Sequence, residues 1–324
     1  MTSLAATLAL TSVFSIGHLP AAEYEPYRSY FEPLPALPPI PADNSLTEDK
    51  IELGKMLFFE PRISASGVIS CATCHNPALG WADRIPRAVG HQGQVGERNT
   101  PTVLNSGFLE AQFWDGREPS LEGQALGPIQ AEVEMAMTLD GAIERLAEFD
   151  EYQTRFRQAF PDQEDPLTAT NVAMTLASFQ RTLNTPNSPF DRYLRGDLAA
   201  MSESQKRGMA AFVNNGCIAC HRGVNLTDSR FHRFELPGST DEGRFLVTGE
   251  EHDRFAFRTP TLRNVAVTYP YFNNGSVDDL GDAVQLMGRQ MLGRELDEDS
   301  VADLVAFLHA LTGEMPRVIF PALP

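Results

Sequence analysis

The sequence predicts a mainly α-helical chain of two domains, and three observations carry that prediction. Apolar residues recur at helical spacing in six separate windows, while alternating strand patterns are scarce. One order of features (a helix, a short break, then the pentapeptide C-x-x-C-H) occurs twice, at Cys71-Ala72-Thr73-Cys74-His75 and at Cys217-Ile218-Ala219-Cys220-His221. A chain of 324 residues is long enough for about two cores. The two halves therefore read as a distant internal repeat, with residues 45–190 as the first domain and 198–318 as the second.

Residues 4–16 form an apolar run that stops before Leu19-Pro20-Ala21-Ala22. Such a run followed by small residues reads as a secretory signal over residues 1–22, too short for a membrane span. The usual basic start is missing, because residues 1–22 carry no Lys or Arg. Residues 23–44 are dense in Pro and aromatic side chains. They read as an extended arm lying along a domain surface, since repeated Pro removes N–H donors and fixes φ.

The first helix is expected at about 47–59, capped by Ser45 or Thr47, with Leu53, Met56, Leu57 and Phe58 facing inward. From Asn76 to Gln130 the chain is rich in Gly, Pro, Asn and Asp and reads as loop. Helical spacing returns at about 138–149 and at about 167–184, and Thr185-Pro186-Asn187-Ser188-Pro189 breaks it. Ser202-Glu203-Ser204-Gln205 is a capping-box pattern opening a helix to about Asn214, closed by Gly216. Residues 222–258 are irregular. Two further helices are expected at about 279–292 and from Asp297 to Thr312, the last with Val301, Leu304, Val305, Leu308 and Leu311 on one face.

The net charge is −17, from 26 basic and 43 acidic side chains. A surface of that sign repels nucleic acid and anionic membranes and attracts basic proteins, while solubility alone is the plain reading of it.

The two pentapeptides carry the chemistry. Two thiols one helical turn apart suit thioether bonds to the two vinyl groups of a haem, and the next residue places an imidazole under the iron. The two motifs use all four Cys of the chain. A zinc site would gather four ligands, but the pairs lie 146 residues apart (217 minus 71), each with its own His. A thioredoxin-like redox pair has no need of that His. Two haem c groups are therefore expected, one on Cys71, Cys74 and His75, the other on Cys217, Cys220 and His221. Such haem is attached outside the bacterial cytoplasm, which argues for a periplasmic protein independently of residues 1–22.

Six segments appear in order around these motifs: CATCHNPALGWAD, GERNTPTVLN, FWDGREPSLEGQALGPI, GCIACHRG, RTPTLRNVAVTYPYFNNGS and DAVQLMGRQMLG. With them the chain resembles the bacterial di-haem cytochrome c peroxidases, a group that includes MauG-like enzymes, over roughly residues 45–315. The resemblance implies two cytochrome c-like helical domains, a calcium ion at their interface and a homodimer. It implies reduction of hydrogen peroxide to water with electrons from a small protein such as a cytochrome c or a copper protein. Two alternatives stand beside it: a MauG-like oxidase acting on a protein or organic substrate, and a non-catalytic di-haem electron carrier.

A peroxidase needs two unlike irons, one open to peroxide and one that stores an electron at higher potential, which a Met ligand favours over His. The resemblance assigns His91, on a Gly-flanked loop 16 positions after His75 (91 minus 75), as a removable cap on the first iron. An ordinary surface-loop His is the plain alternative. It assigns Glu134 as proton carrier and Gln124 as pocket amide. Family members commonly have Asn-Pro where this chain has Ala131-Glu132, which makes Glu132 a rival. For the second iron it assigns Met287, 66 positions beyond His221 (287 minus 221), with Met291 as the main rival and Met201, Met209 and Met315 also possible. MauG-like enzymes use Tyr here, and no Tyr follows Tyr271. Trp114 is the implied electron bridge between the haems, and Asn99, Thr268 and Pro270 the implied calcium site. Asn273 stands where members often have His. His232, His252 and His309 read as structural.

Overall fold

The computed structural model describes residues 23–324, so the expected signal segment lies outside the described residues. Helix α1 (Glu48–Phe58) starts where Thr47 Oγ1 accepts the Lys50 N–H at 3.3 Å. It is followed by α2 (Leu121–Gln130), α3 (Leu139–Ala147), α4 (Asp150–Ala159) and α5 (Ala169–Gln180). The second half contains α6 (Glu203–Asn214), α7 (Leu280–Leu292) and α8 (Glu298–Ala310). The expected caps form: Ser202 and Gln205 make a reciprocal box, and Asp297 accepts the Ser300 N–H at 2.8 Å.

Two of these helices were not legible in the sequence, nor was the short helix Pro189–Leu194 that follows the expected break. The segment expected as loop contains α2, whose Gly123, Gly127 and Pro128 disguise it. The Ser120 cap and inward Leu121, Ala125 and Ile129 hold it together. Helix α4 is polar except for Tyr152, Phe156 and Ala159, which face the core one turn apart.

In each half the helix before the pentapeptide crosses the closing helix at very short range. A Cβ on Gly54 would overlap the Thr175 carbonyl oxygen, and one on Gly208 would overlap that of Asp303. Only glycine lets α1 reach α5, and α6 reach α8, this closely. The first core gathers Leu53, Leu57, Phe58, Trp81, Phe156, Leu176 and Phe179. The second gathers Phe190, Tyr193, Met209, Phe212, Leu304 and Phe307.

The chain ends cross over. The N-terminal arm, which has a single helical turn at Glu25–Arg28, places Tyr24 and Phe31 in the second core. Phe31 meets Phe190 edge-on at 5.1 Å. Burying such a ring contributes about 1.5–3 kcal/mol. At the other end Val318 and Leu323 pack on the first core, and Phe320 meets Phe59 at 5.1 Å. Each core is thus closed by chain from the opposite end of the sequence.

The internal repeat extends beyond the pentapeptides. Thr100-Pro101-Thr102-Val103-Leu104-Asn105 and Thr259-Pro260-Thr261-Leu262-Arg263-Asn264 are related by an offset of 159 (259 minus 100). The two closing asparagines both have positive φ, 59° and 62°. Both donate to one atom, Thr185 Oγ1, each at 2.8 Å. The halves therefore meet at Thr185. The same offset sets Gly116 against Gly275, Trp114 against Asn273, and Asn99 against Arg258.

Between pentapeptide and Thr-Pro-Thr the second half has 13 extra residues (159 minus 146). This region, expected to be irregular, holds the one sheet among the described residues: β1 (Phe231–Arg233) antiparallel to β2 (Ala256–Arg258). Arg244, between these strands, donates to the Asp115 carbonyl at 3.0 Å, so the extra segment clasps the first half.

Candidate functional site

The two pentapeptide histidines are set up alike. His75 Nδ1 lies 3.3 Å from the Trp81 carbonyl oxygen, and His221 Nδ1 lies 3.3 Å from that of Leu226. A carbonyl only accepts, so Nδ1 carries the proton and the lone pair stays on Nε2. Both carbonyls are aimed by residues with left-handed backbone, Trp81 at φ 58° and Leu226 at φ 50°. Burial pulls the His75 pKa down, and that of His221 to about 4. Both rings are therefore neutral and oriented, the form in which imidazole binds a metal.

All four thiols are free of disulfides. Burial pushes Cys71 up to about 12 and Cys217 to about 11. Thiolate chemistry, whether zinc binding or disulfide exchange, needs the opposite environment. Cys74 and His75, and Cys217, Cys220 and His221, line one continuous cavity of about 1070 Å³. That exceeds the roughly 300–1,000 Å³ of a single small-molecule pocket. Neutral oriented imidazoles, paired thiols and this volume fit two covalently held haems.

In the first half, Glu134, Gln124 and Arg117 share the cavity wall. Burial raises the Glu134 pKa, while the Arg117 charge pulls it the other way. Its rival Glu132 is exposed and off the wall. The Gln124 amide donates to no described residue, so its polar atoms are available to the cavity. His91 is half-buried and stands beside the cavity, whose wall here is Ala88, Gly90 and Val95. Its Nδ1 is buried with no partner among the described residues. Its backbone N–H donates to the Glu134 carbonyl at 2.8 Å, tying the His91 loop to the acid. A Cβ on Gly90 would overlap the Val133 carbonyl, so glycine is what lets these loops touch.

In the second half, Met287 and Met291 both line the cavity, one helical turn apart on α7. Met201 and Met209 are buried in the core, and Met315 is exposed.

Trp114 lines the cavity and is anchored from both halves. Its Nε1–H donates to the Asn99 carbonyl at 3.0 Å, and its carbonyl accepts the Arg258 N–H at 2.8 Å. Asn99 and Arg258 are repeat equivalents, so Trp114 is held by its indole from one half and by its backbone from the other. Asn99, Thr268 and Pro270 also border the cavity. The Asn99 amide donates to the Ile85 carbonyl at 2.9 Å, which turns its oxygen free as an acceptor. Asn273 has a definite role: its carbonyl accepts the Asn99 N–H at 2.7 Å and its amide donates to Asp241 at 3.2 Å. Asp241 pairs with Arg98 at 2.7 Å, and Arg98 also pairs with Asp115. This network joins the two halves beside Trp114.

His232 Nε2 lies 3.0 Å from the Asp228 carboxylate, which can only accept, with Cys220 close by, and the residue lines the cavity. His252 and His309 are exposed. Arg117, Arg258 and Trp81 were missed in the sequence, although all three lie inside the quoted segments; Trp81 reaches His75 through its carbonyl.

The fold and cavity define a mainly helical protein of two cytochrome c-like halves whose thiols, imidazoles and shared cavity fit two haems. Residues 48–199 match the family model described as di-haem cytochrome c peroxidase, and residues 205–312 match that of cytochrome c. The chain is 46% identical over 302 residues to cytochrome c551 peroxidase of Pseudomonas aeruginosa, covering 91% of this chain and 87% of that protein. It is 44% identical to the cytochrome c551 peroxidase of Nitrosomonas europaea, covering 88% and 86%. A solved MauG-like protein associated with microbial copper homeostasis superposes with TM-score 0.78 at 28% identity, covering 88% of this chain and 94% of that one. The chain belongs to the di-haem cytochrome c peroxidase family, and it is a peroxidase with two haem c groups.

Proposed function

We propose that the two halves divide the labour of reducing hydrogen peroxide to water with electrons from a small redox protein. His75, Cys71 and Cys74 hold the haem of the peroxide site; His221, Cys217, Cys220 and Met287 hold the haem that receives electrons. When bound, haem supplies the iron where peroxide is reduced and the route by which electrons arrive. The observation that carries this division is the contrast between the two walls. The first presents a buried carboxyl and an amide, Glu134 and Gln124, while the second presents thioethers on α7.

Glu134 takes the proton from one peroxide oxygen and returns it to the other, so that the O–O bond breaks with water as leaving group. Two electrons and two protons from outside complete two waters. Gln124 orients the peroxide by hydrogen bonding. His91, on a loop tied to the Glu134 carbonyl, caps the site and leaves it when peroxide is to enter. Trp114, pinned between Asn99 and Arg258, carries electrons between the halves. A calcium ion held by the Asn99 side chain and the Thr268 and Pro270 carbonyls would stiffen that junction.

The donor is a basic cytochrome c or copper protein, matched to a net charge of −17. Export to the periplasm and a homodimer complete the reading; no described helix is long and apolar enough to cross a membrane. The test is peroxide-dependent oxidation of reduced cytochrome c by the holoprotein, as isolated and after half-reduction, with calcium present. Rapid turnover is expected, faster after half-reduction if His91 is a removable cap. No turnover in either state would refute the proposal.

A further inference from the structure

Three arginines are almost wholly buried: Arg181, Arg258 and Arg263. Two have carboxylate partners. Arg181 meets Glu122 at 2.7 and 2.9 Å, and Arg263 meets Asp191 at 2.8 Å. Arg258, 5% exposed, has none among the described residues. Its Nε donates to the Phe113 carbonyl at 3.2 Å and its Nη1 to the Thr259 carbonyl at 3.0 Å. Those are neutral acceptors, and its Nη2 has no acceptor among the described residues. The nearby acids are engaged elsewhere: Asp115 with Arg98 and Arg117, Asp241 with Arg98. Burial lowers the Arg258 pKa only to about 10, so the guanidinium stays charged at neutral pH.

A buried charge without a counter-charge costs several kcal/mol. Arg258 lines the cavity, so its missing partner lies there. Each haem brings two propionates, the carboxylates that the mature protein adds to this space. Arg258 is two residues before Pro260, whose carbonyl faces the His221 ring. We infer that Arg258 is the ionic partner of a propionate of the haem held by Cys217, Cys220 and His221. The first half has neutral Asn99 at the equivalent position, so the two halves differ in charge there. A fixed cation beside a haem favours its reduced form. Arg258 thereby helps make the second haem the easier to reduce, an inference that rests on the division of labour above.

The experiment is a spectroelectrochemical titration of the di-haem holoprotein, wild type against Arg258→Gln and Arg258→Lys. The wild-type titration tests the reading itself: it should give two separate midpoints. Arg258→Gln should lower the higher midpoint by at least tenfold in the reduction equilibrium, about 59 mV, and move the lower one less. Arg258→Lys should give a smaller shift of the same sign, because charge is kept but the planar group that the Phe113 and Thr259 carbonyls aim is lost. If the glutamine variant accumulates without haem, the lysine variant decides. Two separate wild-type midpoints that both stay fixed in the variants would overturn the inference while leaving the reading intact. Wild-type midpoints that move with chloride or phosphate concentration at constant ionic strength would assign Arg258 to a solution anion and also overturn it.

Discussion

Replacing Glu134 by Gln keeps its volume and removes its ability to take a proton. Proton transfer by a positioned side chain is worth about 10²–10⁴ in rate, so kcat for peroxide should fall by that factor. At 1.36 kcal/mol per decade this is about 2.7–5.4 kcal/mol of activation free energy. The structure supplies two controls. Glu132 is exposed and off the cavity wall, so Glu132→Gln should stay within about twofold on the ordinary behaviour of surface substitutions. Burial, the larger influence on Glu134, raises its pKa, so the folded protein holds this proton more tightly than the unfolded chain does. The ionised carboxylate therefore opposes folding above the raised pKa and does so less as pH falls through it. The glutamine variant should melt no lower than wild type at neutral pH, so lost turnover cannot be assigned to unfolding. In wild type, turnover should fall as pH drops through that raised pKa, because the base is then protonated, and this acid limb should vanish in the variant. Stopped-flow oxidation of reduced cytochrome c reads both rate and pH profile. Turnover of Glu134→Gln within threefold of wild type, or an equal loss in Glu132→Gln, would refute the assignment.

Met287 and Met291 line the same wall, and single alanine variants separate them: Met287→Ala should abolish the spectral signature of Met–iron ligation, while Met291→Ala should keep it. Gly208→Ala should destabilise the holoprotein by about 1–3 kcal/mol in thermal melting, because a Cβ there overlaps the Asp303 carbonyl and forces α6 from α8. Chelating calcium should slow steady-state peroxidase turnover, with recovery on adding calcium but not magnesium, since a carbonyl-rich site suits the larger ion.

The determinants that sequence alone supplied are local ones. Two C-x-x-C-H pentapeptides specify covalent haem chemistry because thioether and imidazole geometry is encoded within five consecutive residues. The Ser202–Gln205 box and the Asp297 cap act within one turn, so both ends were readable. Helix α2 was hidden because Gly123, Gly127 and Pro128 have poor intrinsic propensity, which tertiary burial of Leu121, Ala125 and Ile129 overrides. The different surroundings of Glu134 and Glu132 needed the fold, because only the fold shows which of two acids two positions apart lines the cavity. The same holds for Asn273, whose partners Asn99 and Asp241 are far away in sequence. The asymmetry of the two haem pockets lies there too. An arginine in a sequence is ordinarily a solvated charge. Only the packing of Phe113, Trp114 and Thr259 around Arg258 makes it a buried cation with no carboxylate partner among the described residues.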